Sequence, residues 1–186
     1  RRQRQMCIRD RKRYDADWRE STYKNYFWMV PYDLQGLIDS IGGKEAAEKR
    51  LDEMFRRLDA SYGDEWFASG NEPSFQIPWI YNWAGAPYKA QQVIRRILNE
   101  QYSSRVNGLP GNDDLGSMGA WYVFASIGLF PEIPGVGGFS VNSPVFRKIV
   151  LHLPEGEVII KGGDEKKEYI HSLSLDGKKM EGTWID

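Results

Sequence analysis

The spacing of apolar positions along the chain changes period once, and that change divides it into two parts. Ala47, Leu51, Met54, Phe55 and Leu58 recur at i, i+4, i+7, i+8 and i+11, so residues 44–58 are expected to form an amphipathic helix with a charged opposite face. Before it, Asp33 can cap a short helix over 34–41 that the Gly42-Gly43 pair stops. Residues 74–81 read as helical and aromatic, with Pro78 implying a kink or a late start. Pro87 suits a helix start, and Val93, Ile94, Ile97 and Leu98 carry one apolar face toward Tyr102. A Gly/Pro-rich turn over 107–111 then leads to a last helix, 114–128, apolar at Leu115, Met118, Tyr122, Ala125 and Leu129. Few charges lie on any of its faces, so it is expected to be buried.

Beyond Pro131 the period shortens. Residues 139–141, 148–153, 157–161, 169–175 and 183–185 are short β-prone stretches between Gly, Pro and Asp-Gly turn signals, and Asp176-Gly177 marks a hairpin. The expected fold class is α+β, with an all-helical part giving way to an all-β part near 131–138. Neither part is complete by this pattern: the helices pair as hairpins, and the strands are too few to close a sandwich.

Composition narrows the function classes. With 41% hydrophobic and 27% charged residues over 186 positions, the chain is an ordinary globular sequence. No apolar run approaches the roughly 18 to 20 residues of a membrane span, and no signal-like segment opens it. The start without Met and the stop at Trp184-Ile185-Asp186, directly after a strand-like stretch, lead us to expect further parts beyond both ends. The single Cys7 has no internal disulfide partner. Net charge is −1, but residues 1–13 hold seven Lys/Arg against one Asp, leaving 18 basic and 25 acidic residues in the remainder. An acidic body argues against nucleic acid as a partner. The basic segment shifts composition abruptly and shows no apolar period, so it is read as a disordered or non-native leader.

Three polar clusters place carboxylates or amides among Gly, Pro and aromatic residues: Trp18-Arg19-Glu20-Ser21-Thr22, Gly70-Asn71-Glu72-Pro73-Ser74 and Gly111-Asn112-Asp113-Asp114-Leu115-Gly116. Any one of them alone reads more readily as structure; Asn112 and Asp113, for example, suit helix caps in any fold. Together they suggest chemistry. Trp18, Tyr23 and Trp28 around Glu20 supply the apolar wall that favours the protonated acid, whereas Asp114 beside a helix start suits an ionised base. Such a pair is what acid–base cleavage of a glycosidic bond requires. One Cys and two His, His152 and His171, offer no zinc set. Asn and Glu oxygens in glycine-rich loops are instead the hard ligands that calcium prefers.

These motifs resemble family 92 of the glycoside hydrolases. The resemblance runs from about Tyr14 to the end and is most specific in Glu20 to Asp33 with Val30-Pro31-Tyr32-Asp33, in Gly70-Asn71-Glu72-Pro73-Ser74 with Tyr81-Asn82-Trp83-Ala84-Gly85, and in Gly111-Asn112-Asp113-Asp114-Leu115-Gly116-Ser117-Met118. It implies a calcium-dependent, inverting exo-α-mannosidase built from a β-sandwich and an (α/α)6 toroid. On that basis the chain would comprise the leader, an incomplete toroid over 14–132 and part of an antiparallel β-sandwich over 133–186. The toroid would be completed by the remainder of the parent chain.

By the same resemblance Glu20 is the catalytic acid and Asp114 the base, helped by Asp113. Asn112 stands where relatives often hold a second Asp, and as an amide it cannot act as a base. Asn71 and Glu72 would lie at the calcium and the terminal mannose, with Ser69, Gln76, Asn112 and Trp28 completing the sugar site. Departures concern linkage. Tyr32 stands where many relatives have His, Phe75-Gln76 replaces a His pair, and Ser69-Gly70 stands where α-1,2-cleaving members have His-Glu. Without that carboxylate an anionic leaving group is not repelled, so linkages other than α-1,2, or a mannose-1-phospho-6-mannose diester, are expected. The substrate would be a mannose-containing glycan and the location periplasmic or extracellular. The alternative is a non-catalytic carbohydrate-binding or structural module. Geometry separates the two: in the enzyme, the Glu20 and Asp114 carboxyl groups must converge with roughly 6.5 to 9.5 Å between them, leaving room for a water.

Overall fold

The face of Ala47, Leu51, Met54, Phe55 and Leu58 is wholly buried in a computed structural model that describes residues 18–61 and 63–186. The segment expected as a leader, residues 1–13, and Tyr14 of the first aromatic cluster lie outside the described residues. Helix α1 is a single turn, Tyr23–Tyr26. Helix α2, Leu34–Ser40, is capped as expected by Asp33, whose Oδ1 accepts from the Gly36 N–H at 3.0 Å. Helix α3, Lys44–Met54, ends four residues before the apolar pattern does. The reason is tertiary: the Met54 carbonyl accepts from the Phe67 N–H at 3.1 Å, so the chain turns away to pair Asp59 with Ala68.

Residues 72–83 are less regular than the expected single helix. Pro73 and Pro78 each open a 3-10 turn, Glu72–Ser74 and Ile77–Trp79, before helix α4, Ile80–Trp83; a proline has no N–H for a continuous α-helical ladder. Helix α5, Pro87–Glu100, buries Val93, Ile94, Ile97 and Leu98. Helix α6, Ser117–Ile127, starts three residues later than expected. Asp114, Leu115 and Gly116 all take positive φ, at 43°, 62° and 91°, which no right-handed helix accommodates. It is also not buried all round: Met118, Trp121 and Ala125 face the core, whereas Tyr122 and Val123 are exposed.

The extended part begins at Leu129, before Pro131. Strand β1, Leu129–Phe130, pairs antiparallel with β2, Phe139–Val141, which pairs in turn with β7, Trp184–Ile185, in the order β1-β2-β7. Strands β3, Lys148–Leu153, and β4, Gly156–Lys161, form one hairpin, and β5, Ser174–Leu175, and β6, Lys178–Lys179, another. The Asp176-Gly177 turn has φ of 50° and 77°, the two positive values of a type I′ hairpin. Of the strand expected over 169–175 only its end forms, because the Ile170 N–H donates to Gln91 Oε1 at 2.8 Å and not to a neighbouring strand.

Two aromatic contacts join the parts. Phe130 stacks on Trp79 at 4.1 Å, and the Trp79 indole N–H donates to Asn142 Oδ1 at 3.3 Å. A buried carboxyl adds a third tie. Glu132, 2% exposed, accepts through Oε2 from Ser140 Oγ and from Trp83 Nε1, while its Oε1 has no partner among the described residues. Burial pushes its pKa up to about 7, against the lowering effect of the Ser140 and Trp83 donors. The folded state therefore holds this proton more tightly than the unfolded chain. Its contribution is fully present below the ordinary carboxyl pKa and is lost as pH rises through about 7, on the order of 3 kcal/mol in all. Denaturant titrations between pH 4.5 and 8 should show this decline in wild type, and Glu132→Gln should flatten it. A wild-type slope unchanged by the substitution would remove Glu132 as its source.

Candidate active site

Two glycine-containing loops meet backbone to backbone and bring distant motifs together. A Cβ on Gly70 would lie 2.5 Å from the Pro110 carbonyl oxygen, and one on Gly111 would lie 2.4 Å from that of Gly70. Only glycine permits this approach. Next to the contact, Asn71 and Glu72 open one 3-10 turn and Asn112 to Asp114 lead toward helix α6. Ser117, the first residue of α6, donates from Oγ to Glu72 Oε1 at 3.2 Å and to the Asp113 carbonyl at 2.8 Å.

A third loop closes the site. Asn25, buried in α1, donates to the Trp66 carbonyl at 2.8 Å and accepts from the Ala68 N–H at 3.2 Å and from Ser74 Oγ at 3.4 Å. Thr22 Oγ1 donates to the Asp64 carbonyl at 3.3 Å. These bonds fix the segment after Glu20 against the loop that leads to Gly70. The result is a cleft of about 430 Å³ lined by Glu20, Asp59, Asn71, Glu72, Asn112 and Asp114, with Ser61 and the Gly70 and Gly111 backbones.

The structure thus gathers five of the expected site residues, Glu20, Asn71, Glu72, Asn112 and Asp114, onto one space. It adds Asp59, a carboxylate outside the three sequence clusters. Arg57 chelates Asp59 through Nε and Nη2, each at 3.1 Å, and this pairing holds the Asp59 carboxyl below its usual pKa. Glu20 and Asp114 share a further property. Both are non-glycine residues at positive φ, 69° and 43°, a conformation that costs about 1 kcal/mol or more and is retained where the surroundings demand it.

Four expected residues are placed elsewhere. Trp28, 1% exposed, belongs to the core, where its ring meets Phe27 edge-on at 5.1 Å. Ser69 is buried, and its hydroxyl donates to the Leu58 carbonyl at 2.7 Å and to Gln101 Oε1 at 3.0 Å. Gln76 sits in the turn between Pro73 and Pro78 and does not line the cleft. Asp113 accepts from the Gly119 N–H at 3.1 Å and from the Ser117 N–H at 2.8 Å, so it organises the start of α6. Tyr26 was missed. Its hydroxyl donates to the Arg19 carbonyl, next to Glu20, and burial, then the charges of Glu20 and Glu72, hold its phenol above the ordinary tyrosine pKa. Its only sequence signal is one more aromatic in a segment full of them.

Two oxygen donors of the cleft are of a type that a hard cation takes. Asn71 is 7% exposed, and its Oδ1 is buried with no hydrogen-bond partner among the described residues; Asn71 and Glu72 line the same cleft. An unpaired amide oxygen and a carboxylate are oxygen donors of the type that calcium takes. Among the described residues no three of His, Cys, Asp and Glu gather at metal-ligating spacing, so these loops offer part of a coordination shell. No helix among the described residues is long and apolar enough to cross a membrane.

Residues 2–186 match the model of the glycosyl hydrolase family 92 catalytic domain. An uncharacterized secreted glycosidase of Arthroderma benhamiae is 31% identical over 176 residues, 89% of this chain and 22% of that protein. A family 92 α-mannosidase of Bacteroides thetaiotaomicron superposes with a TM-score of 0.80 at 34% identity, over 90% of this chain and 23% of its own; it has also been solved with mannoimidazole, with a TM-score of 0.79. A family 92 inverting mannosidase of the same species gives a TM-score of 0.79 at 30% identity, over 90% of this chain and 26% of its own. The chain thus spans about a quarter of the length of these relatives.

Proposed function

The chain belongs to glycosyl hydrolase family 92, and from that premise we propose that it forms the carboxylate-bearing part of an exo-acting α-mannosidase, within a polypeptide of its relatives' length. The observation that carries the reading is the convergence of Glu20, Glu72 and Asp114, with two amides, on one cleft. In this reading the helical part is a portion of an (α/α)6 toroid and the extended part a portion of a β-sandwich. Further segments of the polypeptide cover the exposed Tyr122 and Val123 on α6.

Glu20 gives its proton to the glycosidic oxygen as the bond to the anomeric carbon breaks. Asp114 takes a proton from the water that attacks the opposite face, so the anomeric configuration inverts. An inverting pair leaves roughly 6.5 to 9.5 Å between its carboxyl groups for that water. Asn112 lacks a basic oxygen and serves as a hydrogen-bonding contact to the sugar. Asn71 and Glu72 would hold calcium, which supplies electrostatic support to sugar hydroxyls and to ring distortion when bound. Ser117 keeps the Glu72 carboxylate oriented for that role.

Nothing acidic occupies the Ser69-Gly70 position, and the Ser69 hydroxyl is held by Leu58 and Gln101. The leaving-group side therefore does not repel an anion there, which favours linkages other than α-1,2, including a mannose-1-phospho-6-mannose diester. The relative described as secreted supports export from the cytoplasm.

The test is sugar release by the full-length polypeptide from aryl α-mannosides and from mannobioses of each linkage, followed by NMR. Mannose should appear first as the β-anomer, be lost on chelation and return with added calcium. Fastest cleavage of α-1,2-mannobiose would overturn the linkage reading. Absence of release by the folded, calcium-loaded protein would leave a sugar-binding module, for which mannose binding by calorimetry is the measurement.

A further inference from the structure

We infer that Tyr26 is a positioning residue for Glu20, pinning the strained loop that presents this carboxyl to the cleft. The inference rests on the reading of Glu20 as the acid.

Glu20 has a φ of 69°, so its loop does not hold this shape by backbone preference alone. Exposed residues flank it on the N-terminal side, Trp18 and Arg19, and a loop of that kind needs a tether. Tyr26 supplies two. Its hydroxyl donates to the Arg19 carbonyl, the peptide group that joins Arg19 to Glu20. Its ring stacks on Trp18 with centroids 5.4 Å apart and planes 15° from parallel. On the C-terminal side, Ser21 and Thr22 are buried, and Thr22 is bonded to the Asp64 carbonyl. Glu20 is thus held from both sides, with Tyr26 as the sole side-chain donor recorded to the backbone of residues 18–20 among the described residues.

The base of this tether is itself firm. Tyr26 closes α1, whose Asn25 is bonded to Trp66, Ala68 and Ser74, the same stretch that leads into Asn71 and Glu72. Position of the acid is therefore referred to the loop that carries the proposed calcium ligands. The effect of the Glu20 and Glu72 charges on the Tyr26 phenol is consistent with that placement. A tyrosine engaged in this way need not touch substrate; it limits the excursions of the carboxyl that does.

The consequence is specific to protonation of the leaving group. A displaced acid slows departure of a poor leaving group and barely affects one that leaves unprotonated. Tyr26→Phe keeps the Trp18 stack and removes only the hydroxyl. In the full-length polypeptide it should lower kcat about 10- to 100-fold on methyl α-mannoside, and less than about threefold on 2,4-dinitrophenyl α-mannoside. KM and Tm should stay near wild type. Trp18→Ala, which removes the stack and keeps the hydroxyl, should show the same asymmetry to a smaller degree.

Equal losses on both substrates would make Tyr26 a general structural residue and overturn the inference, as would an unchanged kcat on the methyl glycoside. Glu20→Gln measured in parallel separates this from failure of the acid assignment. If Glu20→Gln loses methyl mannoside hydrolysis while Tyr26→Phe retains it, only the positioning role is overturned. If Glu20→Gln retains it, both fall together.

Discussion

Asp114→Asn in the full-length polypeptide is expected to lower kcat about 10²- to 10⁴-fold on every α-mannoside, whatever its leaving group, because the water must lose its proton in each case. Glu20→Gln is expected to cause a loss of the same order on methyl α-mannoside and a far smaller one on a dinitrophenyl mannoside. The contrast follows from the division of labour in an inverting pair: one carboxyl acts on the bond that breaks, the other on the water that attacks. Both amides are isosteric with the acids they replace, so KM and thermal stability should change little. If Asp114→Asn keeps wild-type kcat, the base lies elsewhere, with Asp59 the next carboxylate on the cleft; its pairing with Arg57 then has to be broken or shared during turnover.

Arg95→Met is expected to loosen the junction of the helical and extended parts by about 3 kcal/mol or more. Arg95 lies on α5 and is 8% exposed. Its Nη1 donates to the Glu165 carbonyl at 3.1 Å and the Asp164 carbonyl at 3.4 Å. Its Nη2 donates to Lys167 at 3.1 Å and, more loosely at 3.4 Å, to the Ser143 and Pro144 carbonyls. Burial pulls the guanidinium below the ordinary arginine pKa, opposed by Glu168, Glu165 and Asp164, and the group stays charged. Methionine matches the aliphatic stem but removes the guanidinium donor from those carbonyls, of which Lys167 keeps the Ser143 hydroxyl. Arg95→Lys keeps the charge without the planar fork and should recover part of the loss. Amide exchange over residues 164–169 reads the effect directly, with a rise of about 100-fold expected for the Met variant at that energy. Exchange unchanged in this segment would show that Ser143, whose hydroxyl donates to the Lys167 carbonyl at 2.8 Å, and Gln91, which accepts from the Ile170 N–H, hold it without Arg95.

Much of the local structure was legible because it is set by nearest neighbours. Asp33 capped its helix, Pro87 opened another, and Asp176-Gly177 made the turn its dihedrals favour. The apolar periods of α3 and α5 identified their buried faces correctly. The misreadings came where distant groups competed for the same backbone. Phe67 took the Met54 carbonyl and ended α3 early, Gln91 took the Ile170 N–H and shortened a strand, and three left-handed residues moved the start of α6 to Ser117. The site divides in the same way. Glu20, Asn71, Glu72, Asn112 and Asp114 stood out as polar residues in settings that waste them unless they are used. Ser69 and Trp28 were expected at the sugar site by family resemblance, and one is a buried donor and the other a core ring.

By itself the sequence determined the helical-then-extended order, the chemistry available in three short motifs, and the family to which they belong, because residue type and short-range spacing fix those. Tertiary structure alone decided which motifs meet. Gly70 and Gly111 are far apart along the chain and pass within backbone contact, which no periodicity announces. That contact, with the Asn25 bonds to the loop before Gly70, sets Glu20, Glu72 and Asp114 around one cleft and admits Asp59 to it. Approach of this kind depends on the absence of a Cβ at both glycines and on buried partners found only after the chain has folded back on itself.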